Sequence, residues 1–256
     1  MLFLQEAAAS FAAAARAGPL GRAYHVVAPA SLDPKRDQNS LVLLAKARFP
    51  DPSRISELSD AILASLGKAP VAAGDLLAIT AFDASNRPYV FGSFHGDTNG
   101  LATIPVTDAL LKHVADNGLG DHKLVVGMDA NTYEVVREGY QAAAPFQARI
   151  ATAELASQYS DSDSIDVKRY STFNARTYLQ PQLNKAVAFD DRYTDVNVDR
   201  NPKDFLLFTK RDFKMVQVAR DNTGDGRTYV DDMMFPTLKF PSDHAVTSAT
   251  LRLMHR

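Results

Sequence analysis

The stretch Leu124-Val125-Val126-Gly127-Met128-Asp129-Ala130-Asn131 decides the fold that we expect for this chain. A short apolar run is typical of a buried strand, and an Asp and an Asn follow this one directly. Because Asp129 and Asn131 are two residues apart, their side chains point to the same face of an extended segment. We therefore expect a buried strand that brings two oxygen-bearing side chains to a site at its end.

Polar side chains also follow, or lie beside, three other apolar stretches. These clusters are Gln5-Glu6, Ser93-Phe94-His95 and Pro241-Ser242-Asp243-His244. Loops gather at strand ends and carry a large share of binding and catalytic residues. Carboxylate and amide oxygens suit Mg²⁺ or Mn²⁺, which favour carboxylates together with water and substrate phosphate. The four clusters therefore indicate a polar site with the oxygen ligands of a divalent cation.

Apolar runs alternate with helical patterns through the first half of the chain, which is typical of a layered α/β protein. Strands are predicted over 1–6, 23–27, 40–44, 76–82, 89–94 and 124–128, and later over 205–209, 213–219 and 245–253. Helices are predicted over 7–17, from 53 or 56 to 66, and over 107–116, with a mainly helical pattern from 133 to 166. Neither an internal repeat nor a Ser/Gly-rich linker interrupts the chain. We expect a single domain over residues 1–256.

Composition excludes several classes of protein and of site. The 256 residues include 28 Lys and Arg against 30 Asp and Glu, a net charge of −2, so bulk charge does not attract nucleic acid. The absence of Cys excludes thiolate metal sites and cysteine nucleophiles. No apolar run reaches the roughly 18 residues of a membrane span, and the start carries no signal-peptide pattern. We expect a soluble protein and leave its compartment open.

The order of the four motifs resembles the endonuclease/exonuclease/phosphatase superfamily. LQE at 4–6, SFH at 93–95, GMDAN at 127–131 and PSDH at 241–244 spread the resemblance over nearly the whole chain. The superfamily includes deoxyribonuclease I, abasic-site endonucleases, neutral sphingomyelinases and inositol polyphosphate 5-phosphatases. The resemblance implies an α/β fold in four α-β-β-α layers, with two packed mixed sheets flanked by helices.

The resemblance also implies a metal centre and a water-activating group. Glu6 and Asp243 are similar to the carboxylates that hold Mg²⁺ or Mn²⁺ in the family. Asp129 is similar to the residue that orients or deprotonates the attacking water, and Asn131 to its neighbour that contacts phosphate or metal. Without the resemblance, Glu6 could be a solvated residue at a helix start, and Asp129 and Asn131 could be turn and cap residues.

Further roles follow from the same resemblance. His244 is similar to the residue that stabilises the phosphoryl oxygens, and Asp204, at the start of the strand 204–208, to the carboxylate that orients it. His95 matches a strand-end His that acts as an acid or as a phosphate ligand. Three more residues are candidate substrate contacts. They are Asn99, Asn174 and Arg176.

One feature departs from the family pattern. A strand that precedes the LQE strand normally supplies an Asn to the metal site, whereas the LQE of this chain begins at its fourth residue. We therefore expect an N-terminally truncated domain, and a missing central strand would expose a sheet edge.

The sequence favours a divalent-metal-dependent phosphoester hydrolase in which an Asp-activated water attacks phosphorus in line. A sphingomyelinase-like or inositol-phosphatase-like enzyme stays open, as does a weak or inactive member that acts as a binding module. The partner is a phosphate-ester substrate, and nucleic acid is one candidate. Adjacent basic pairs that could form a local patch for it are Lys35-Arg36, Lys168-Arg169 and Lys210-Arg211. We expect a monomer.

Overall fold

The computed structural model describes residues 1–35, 37–159, 171–175, 199–231 and 233–254. Its strands are β1 (Leu2–Ala7), β2 (Tyr24–Val27), β3 (Asn39–Ala45), β4 (Ser56–Glu57), β5 (Leu76–Phe82), β6 (Pro88–His95), β7 (Lys123–Asp129), β8 (Leu155–Ser157), β9 (Phe173–Ala175), β10 (Asp199–Asn201), β11 (Asp204–Thr209), β12 (Phe213–Asp221) and β13 (Val246–Leu253). Its helices are α1 (Ala9–Ala17), α2 (Pro19–Ala23), α3 (Ser59–Leu63), α4 (Thr103–Asp116) and α5 (Ala143–Thr152), with a 3-10 turn at Pro52–Arg54. None of the helices in these ranges has the length and apolar character that crossing a membrane requires.

A six-stranded mixed sheet lies at the centre, in the order β4-β5-β6-β7-β11-β8. Adjacent strands within this sheet are antiparallel, except for β6 and β7, which run parallel. Parallel neighbours need a crossover connection, and α4 supplies it between these two strands. The parallel pair therefore ends on the same side of the sheet, after His95 and after Asp129.

A second layer of strands packs against one face of this sheet. It consists of the antiparallel β1-β3-β2 sheet and the antiparallel β12-β13 pair. The core between the two layers joins Val42 and Leu44 of β3 to Phe91 and Phe208 of the central sheet, and Phe3, Leu251 and Leu253 pack at its margin. Within the described ranges, β1 pairs with β3 alone and forms an edge of its sheet.

Helices cover the two outer faces. On the far side of the central sheet, Ile62 of α3, Val106 of α4 and Phe146 of α5 enter a second core. On the far side of the β1-β3-β2 sheet, Ala12 and Ala15 of α1 close a third core. The layers run helix, sheet, sheet, helix, which confirms the predicted α-β-β-α sandwich.

Two helix predictions are wrong. The segment from 53 to 66 holds the short strand β4 and only five helical residues of α3, because Ser56 and Glu57 pair with Thr80 and Ile79 of β5. From 133 to 166 the described residues hold one helix, α5, followed by β8, which pairs with β11. In both segments, pairing with a remote strand outweighs the local helical pattern.

Gly127 provides the contact surface that lets β1 lie close to β7. A Cβ atom added to Gly127 would lie 2.5 Å from the Cβ, Cγ and Cδ2 atoms of Phe3, which is less than van der Waals contact. The Phe3 ring lies with its centroid 6.4 Å from that of Phe91 on β6, at an interplanar angle of 52°. The absence of a side chain at residue 127 therefore lets β1 lie directly over the central sheet.

Gly127→Ala should destabilise the protein by about 1–3 kcal/mol, because the added methyl group forces Phe3 out of its packing position. Gly120→Ala is the matched control, since nothing lies within 4 Å of a Cβ added there. Urea unfolding followed by circular dichroism measures both. Equal unfolding midpoints for the two variants would contradict the close packing of β1 on β7.

Candidate active site

Three polar residues lie side by side on neighbouring strands at one end of the central sheet. The strand register places His95 of β6 opposite Asp129 of β7, and Asp129 opposite Asp204 of β11. Side chains alternate between the two faces of a strand, and Phe91 and Phe208 face the second strand layer. His95 is an even number of residues from Phe91, and Asp204 is an even number from Phe208, so both face that layer too. The exposed fractions of His95, Asp129 and Asp204 are only 9%, 4% and 9%. The sheet therefore buries two carboxyl groups and an imidazole in one row.

Strand β1 carries Glu6 to this row. The Gln5 amide donates hydrogen bonds to Ser93 Oγ (2.9 Å) and to the Gly127 carbonyl (3.2 Å), and Ser93 Oγ donates to the Leu4 carbonyl (3.1 Å). The register of β1 with β3 shifts between Leu4 and Ala7, and Glu6 has a φ of 53°. Such a bulge re-aims a side chain, and here Glu6 Oε1 lies 3.6 Å from His95 Nε2.

His244 closes the cluster from the segment before β13. Its Nδ1 lies 3.0 Å from Asp204 Oδ2 and its Nε2 lies 3.7 Å from Asp129 Oδ2. Behind it, the Phe173 ring lies 4.9 Å from the imidazole, and the Ala245 N–H donates to the Thr172 carbonyl at 2.7 Å. The imidazole thus links the two carboxyl groups of the row.

The two carboxylates fix the protonation state of His244. Burial by itself lowers the pKa of His244, but the charges of Asp204 and Asp129 outweigh it and raise that pKa from 6.5 to about 10. The imidazole is therefore a cation at neutral pH, with Nδ1–H directed at Asp204. Its contribution to folding stability is complete below about pH 6.5 and is lost as the pH rises through about 10.

Glu6 is a carboxyl group whose pKa is raised chiefly by burial. The charges of His95 and His244 lower this pKa, and those of Asp129 and Asp243 raise it to a smaller extent. Its side chain is 51% exposed, so it forms the open side of the cluster. A divalent cation bound there would offset the repulsion among these carboxylates.

The donor atoms fit a hard divalent cation. Among the described residues, ligand atoms of Asp129, Asp204 and His244 all lie within 4.8 Å of one another. His244 Nδ1 is bonded to Asp204 Oδ2 at 3.0 Å, so that ring nitrogen is already occupied. Glu6 and Asp243, the residues that the family resemblance assigns to the metal, offer further carboxylate oxygens of the kind that suits Mg²⁺ or Mn²⁺, and the charge of Asp243 acts on the pKa of Glu6.

Asn131 turns back towards Asp129 at the end of β7. Its φ is 46°, in the left-handed region that Asn tolerates better than most residues, and its N–H donates to Asp129 Oδ1 at 2.8 Å. Its Nδ2 donates to the Gly96 carbonyl at 2.9 Å and lies 3.3 Å from Asp129 Oδ2. Asn131 therefore holds both oxygens of the Asp129 carboxylate.

Sequence reasoning missed Lys203, whose Nζ donates to Asn131 Oδ1 at 3.1 Å. Its only signal in the sequence is its position directly before Asp204. The contact depends on β7 and β11 being neighbours, so no local motif contains both residues.

The predicted substrate contacts lie in different environments. Asn99 is partly exposed beside the cluster, and its carbonyl accepts a hydrogen bond from the Gln141 N–H at 2.8 Å. Asn174 is buried, and its Nδ2 donates to the Met233 carbonyl at 3.0 Å, so its side-chain nitrogen holds a neighbouring segment. Arg176 lies outside the described residues.

The basic pair Lys210-Arg211 lies at the wrong end of β11 to flank the cluster. Asp204 begins this strand and Thr209 ends it, so the pair is separated from Asp204 by roughly 20 Å of extended chain. Arg211 lies 3.3 Å from the Asp212 carboxylate. Lys168 and Arg169 lie outside the described residues, and so does Arg36.

No family model matches the sequence, and no curated protein matches it. Solved structures do resemble it. Danio rerio TDP2 in complex with a single-strand DNA product is 13% identical over 98% of this chain and 84% of its own, with a TM-score of 0.56. An endonuclease/exonuclease/phosphatase from Bacteroides vulgatus is 14% identical over 98% and 84%, with a TM-score of 0.58. A Bacteroides thetaiotaomicron mannosyl-6-phosphatase is 12% identical over 93% and 79%, with a TM-score of 0.53. The chain has the endonuclease/exonuclease/phosphatase, or deoxyribonuclease I-like, fold that its motifs predicted.

Asp204→Asn should lower the pKa of His244 well below 10, because it removes the carboxylate that bonds to Nδ1 and leaves the effect of burial. The titration of the His244 Cε1 proton, followed by NMR in EDTA, measures this pKa. Asp212→Asn is the control, since Asp212 is equally buried but lies beyond the far end of β11. A wild-type His244 that titrates near pH 6.5 would contradict the assigned imidazolium.

Proposed function

We propose that the chain is a divalent-metal-dependent hydrolase of phosphate esters. The observation that supports this most strongly is the convergence of Glu6, His95, Asp129, Asp204 and His244 at one end of the sandwich, from four strands and one loop segment. Carboxylates that can hold a cation, a carboxylate that can accept a proton and an imidazolium are the groups that phosphoester hydrolysis needs.

Asp129 is the group that orients and deprotonates the attacking water in this proposal. Its carboxylate is fixed by the Asn131 N–H and lies within 4 Å of the Nε2 atoms of His95 and His244. The water oxygen forms a bond to phosphorus, the water proton passes to Asp129, and the bond from phosphorus to the leaving oxygen breaks. Proton transfer by a positioned side chain typically contributes about 100- to 10,000-fold to the rate.

His244 offsets the charge that builds on the phosphoryl oxygens. Because Asp204 keeps it protonated, its Nε2–H can donate to an oxygen of the transition state without gaining a proton first. His95, 3.6 Å from Glu6, is placed to donate to a phosphate oxygen or to the leaving oxygen. Asn131 supports Asp129 through its backbone N–H and its side-chain amide.

A bound Mg²⁺ or Mn²⁺ would act as a Lewis acid on a phosphoryl oxygen, and Glu6 and Asp243 are the residues we propose to hold it. The Glu6 side chain is half exposed and Asp243 is partly exposed, so both are accessible to an ion from solvent. Glu6 is kept in place by the bonds of the preceding Gln5 to the central sheet.

The substrate is proposed only as a phosphate ester. Structures with this fold include one with a single-strand DNA product and one of a sugar phosphatase, so the fold itself does not select among esters. The net charge of −2 and the remote position of Lys210-Arg211 give nucleic acid no advantage. The alternative is a weak or inactive member that acts as a binding module; the convergence of the motif residues in one cluster makes us favour the enzyme.

Wild-type protein should hydrolyse bis-p-nitrophenyl phosphate in the presence of Mg²⁺ or Mn²⁺ and not in EDTA. Asp129→Asn and His244→Gln should each lower kcat by about 100-fold or more, because one removes the proton acceptor and the other removes the cation. Release of p-nitrophenolate measures both.

Asp116→Asn and His113→Gln on α4 are the matched controls and should retain wild-type rates. Folding of each variant is checked by circular dichroism. Wild-type protein that is folded but inactive with either metal would contradict the proposed function, as would Asp129→Asn with an unchanged kcat.

Glu6→Gln should weaken Mn²⁺ binding at least tenfold, because an amide oxygen replaces a charged ligand. Loss of a neighbour of a metal ligand typically costs 10- to 100-fold in affinity, and loss of a ligand should cost no less. Electron paramagnetic resonance of free Mn²⁺ measures the affinity without any turnover. Glu138→Gln, at an exposed glutamate, is the control; equal affinities would exclude Glu6 as a ligand.

A further inference from the structure

Lys203 is a buried cation beside the cluster that the proposed mechanism does not use. It is 5% exposed, and its Nζ lies 4.2 Å from the centre of the Phe173 ring and 5.1 Å from that of Tyr133. Burying an ammonium group is costly unless it is paired or lies over aromatic faces. Its backbone is fixed as well, since its carbonyl accepts from the Ala130 N–H at 2.7 Å.

The ammonium group determines how the Asn131 amide is oriented. Lysine can only donate hydrogen bonds, so the Asn131 atom 3.1 Å from Lys203 Nζ must be the oxygen. The amide nitrogen then faces two acceptors, the Gly96 carbonyl at 2.9 Å and Asp129 Oδ2 at 3.3 Å. In the opposite orientation, the amide oxygen would face two other acceptors and the amide nitrogen would face the ammonium group. None of these contacts would be a hydrogen bond.

This orientation acts on the carboxylate that we assign to water activation. Asp129 Oδ2 is the oxygen that faces both His95 Nε2, at 3.8 Å, and His244 Nε2, at 3.7 Å. The Asn131 amide nitrogen is the neutral donor beside it. Lys203 therefore connects to Asp129 through one hydrogen-bonded residue.

We propose that Lys203 is a positioning residue of the hydrolytic site, which fixes the Asn131 amide and, through it, the Asp129 carboxylate. This inference rests on the proposed function. Because Lys203 is 5% exposed and its Nζ bonds to Asn131, we expect it to affect the chemical step and not substrate binding.

A double-mutant cycle on bis-p-nitrophenyl phosphate hydrolysis tests the connection. Lys203→Met, which keeps the aliphatic stem, should lower kcat by about 10- to 100-fold and leave KM within about threefold, as is typical for partners of active-site ligands. Because Lys203 acts through Asn131, adding Lys203→Met to Asn131→Ala should cost less than twofold further. Lys203→Gln, which keeps a donor, should retain more activity than Lys203→Met.

Lys46→Met is the matched control, because Lys46 is also partly buried and its Nζ donates to the Gly21 carbonyl at 2.6 Å, away from the cluster. It should leave kcat unchanged. A second readout needs no turnover: Lys203→Met should shift the Asn131 side-chain NH₂ signals in a ¹⁵N NMR spectrum, assigned by their loss in Asn131→Ala. If Lys203→Met does not fold, the kinetic and the NMR measurements are both made on Lys203→Gln.

The outcomes separate the two proposals. If the wild type is active but Lys203→Met has an unchanged kcat, the role of Lys203 is overturned and the proposed function stands. The same holds if the losses from Lys203→Met and Asn131→Ala multiply in the double variant. Unchanged Asn131 side-chain signals in a folded Lys203 variant also overturn it. A folded wild type without metal-dependent hydrolysis overturns the proposed function and this inference together.

Discussion

The hydrogen bonds between β6, β7 and β11 hold His95, Asp129 and Asp204 in one row, and the rest of the cluster is arranged around that row. A shift of one residue in either pairing would turn a whole strand over, since side chains alternate between the two faces. Asp129 would then point into the apolar core beneath the helices. The same register that buries Val126 and Leu207 on the helix side therefore brings the polar row to face the second strand layer.

Electrostatics follow from this placement. Two buried carboxyl groups side by side are unfavourable, and the burial of Asp204 raises its pKa while the charge of His244 lowers it. The positive charge of His244 offsets the negative charge of the two carboxyl groups. Lys203 adds a second cation nearby, which is bonded to Asn131. Glu6 adds a further carboxyl group at the open side, where His95 is the basic side chain within salt-bridge distance of it among the described residues. A divalent cation would complete the balance of charge.

Local sequence patterns predicted the strands well because buried strands are short apolar runs, and the motif order predicted the fold. They failed where pairing with a remote strand decides the structure, as at β4 and in the segment from 133 to 166. The bulge that turns Glu6 towards His95, and the bond from Lys203 to Asn131, join residues far apart in the chain. Asn174, a candidate substrate contact, is buried, and its Nδ2 bonds to the Met233 carbonyl, a partner that no local pattern indicates. The role of Arg176, which lies outside the described residues, stays a prediction.

The central claim is that this cluster binds a divalent cation beside a water-activating carboxylate. Anomalous diffraction from crystals grown with Mn²⁺ tests it most directly. The account predicts a Mn²⁺ peak at about 2.0–2.2 Å from carboxylate oxygens of Glu6 and Asp243, with the His244 imidazole still bonded to Asp204. A peak on His244 itself, or a protein saturated with Mn²⁺ that shows no peak within the cluster, would contradict it.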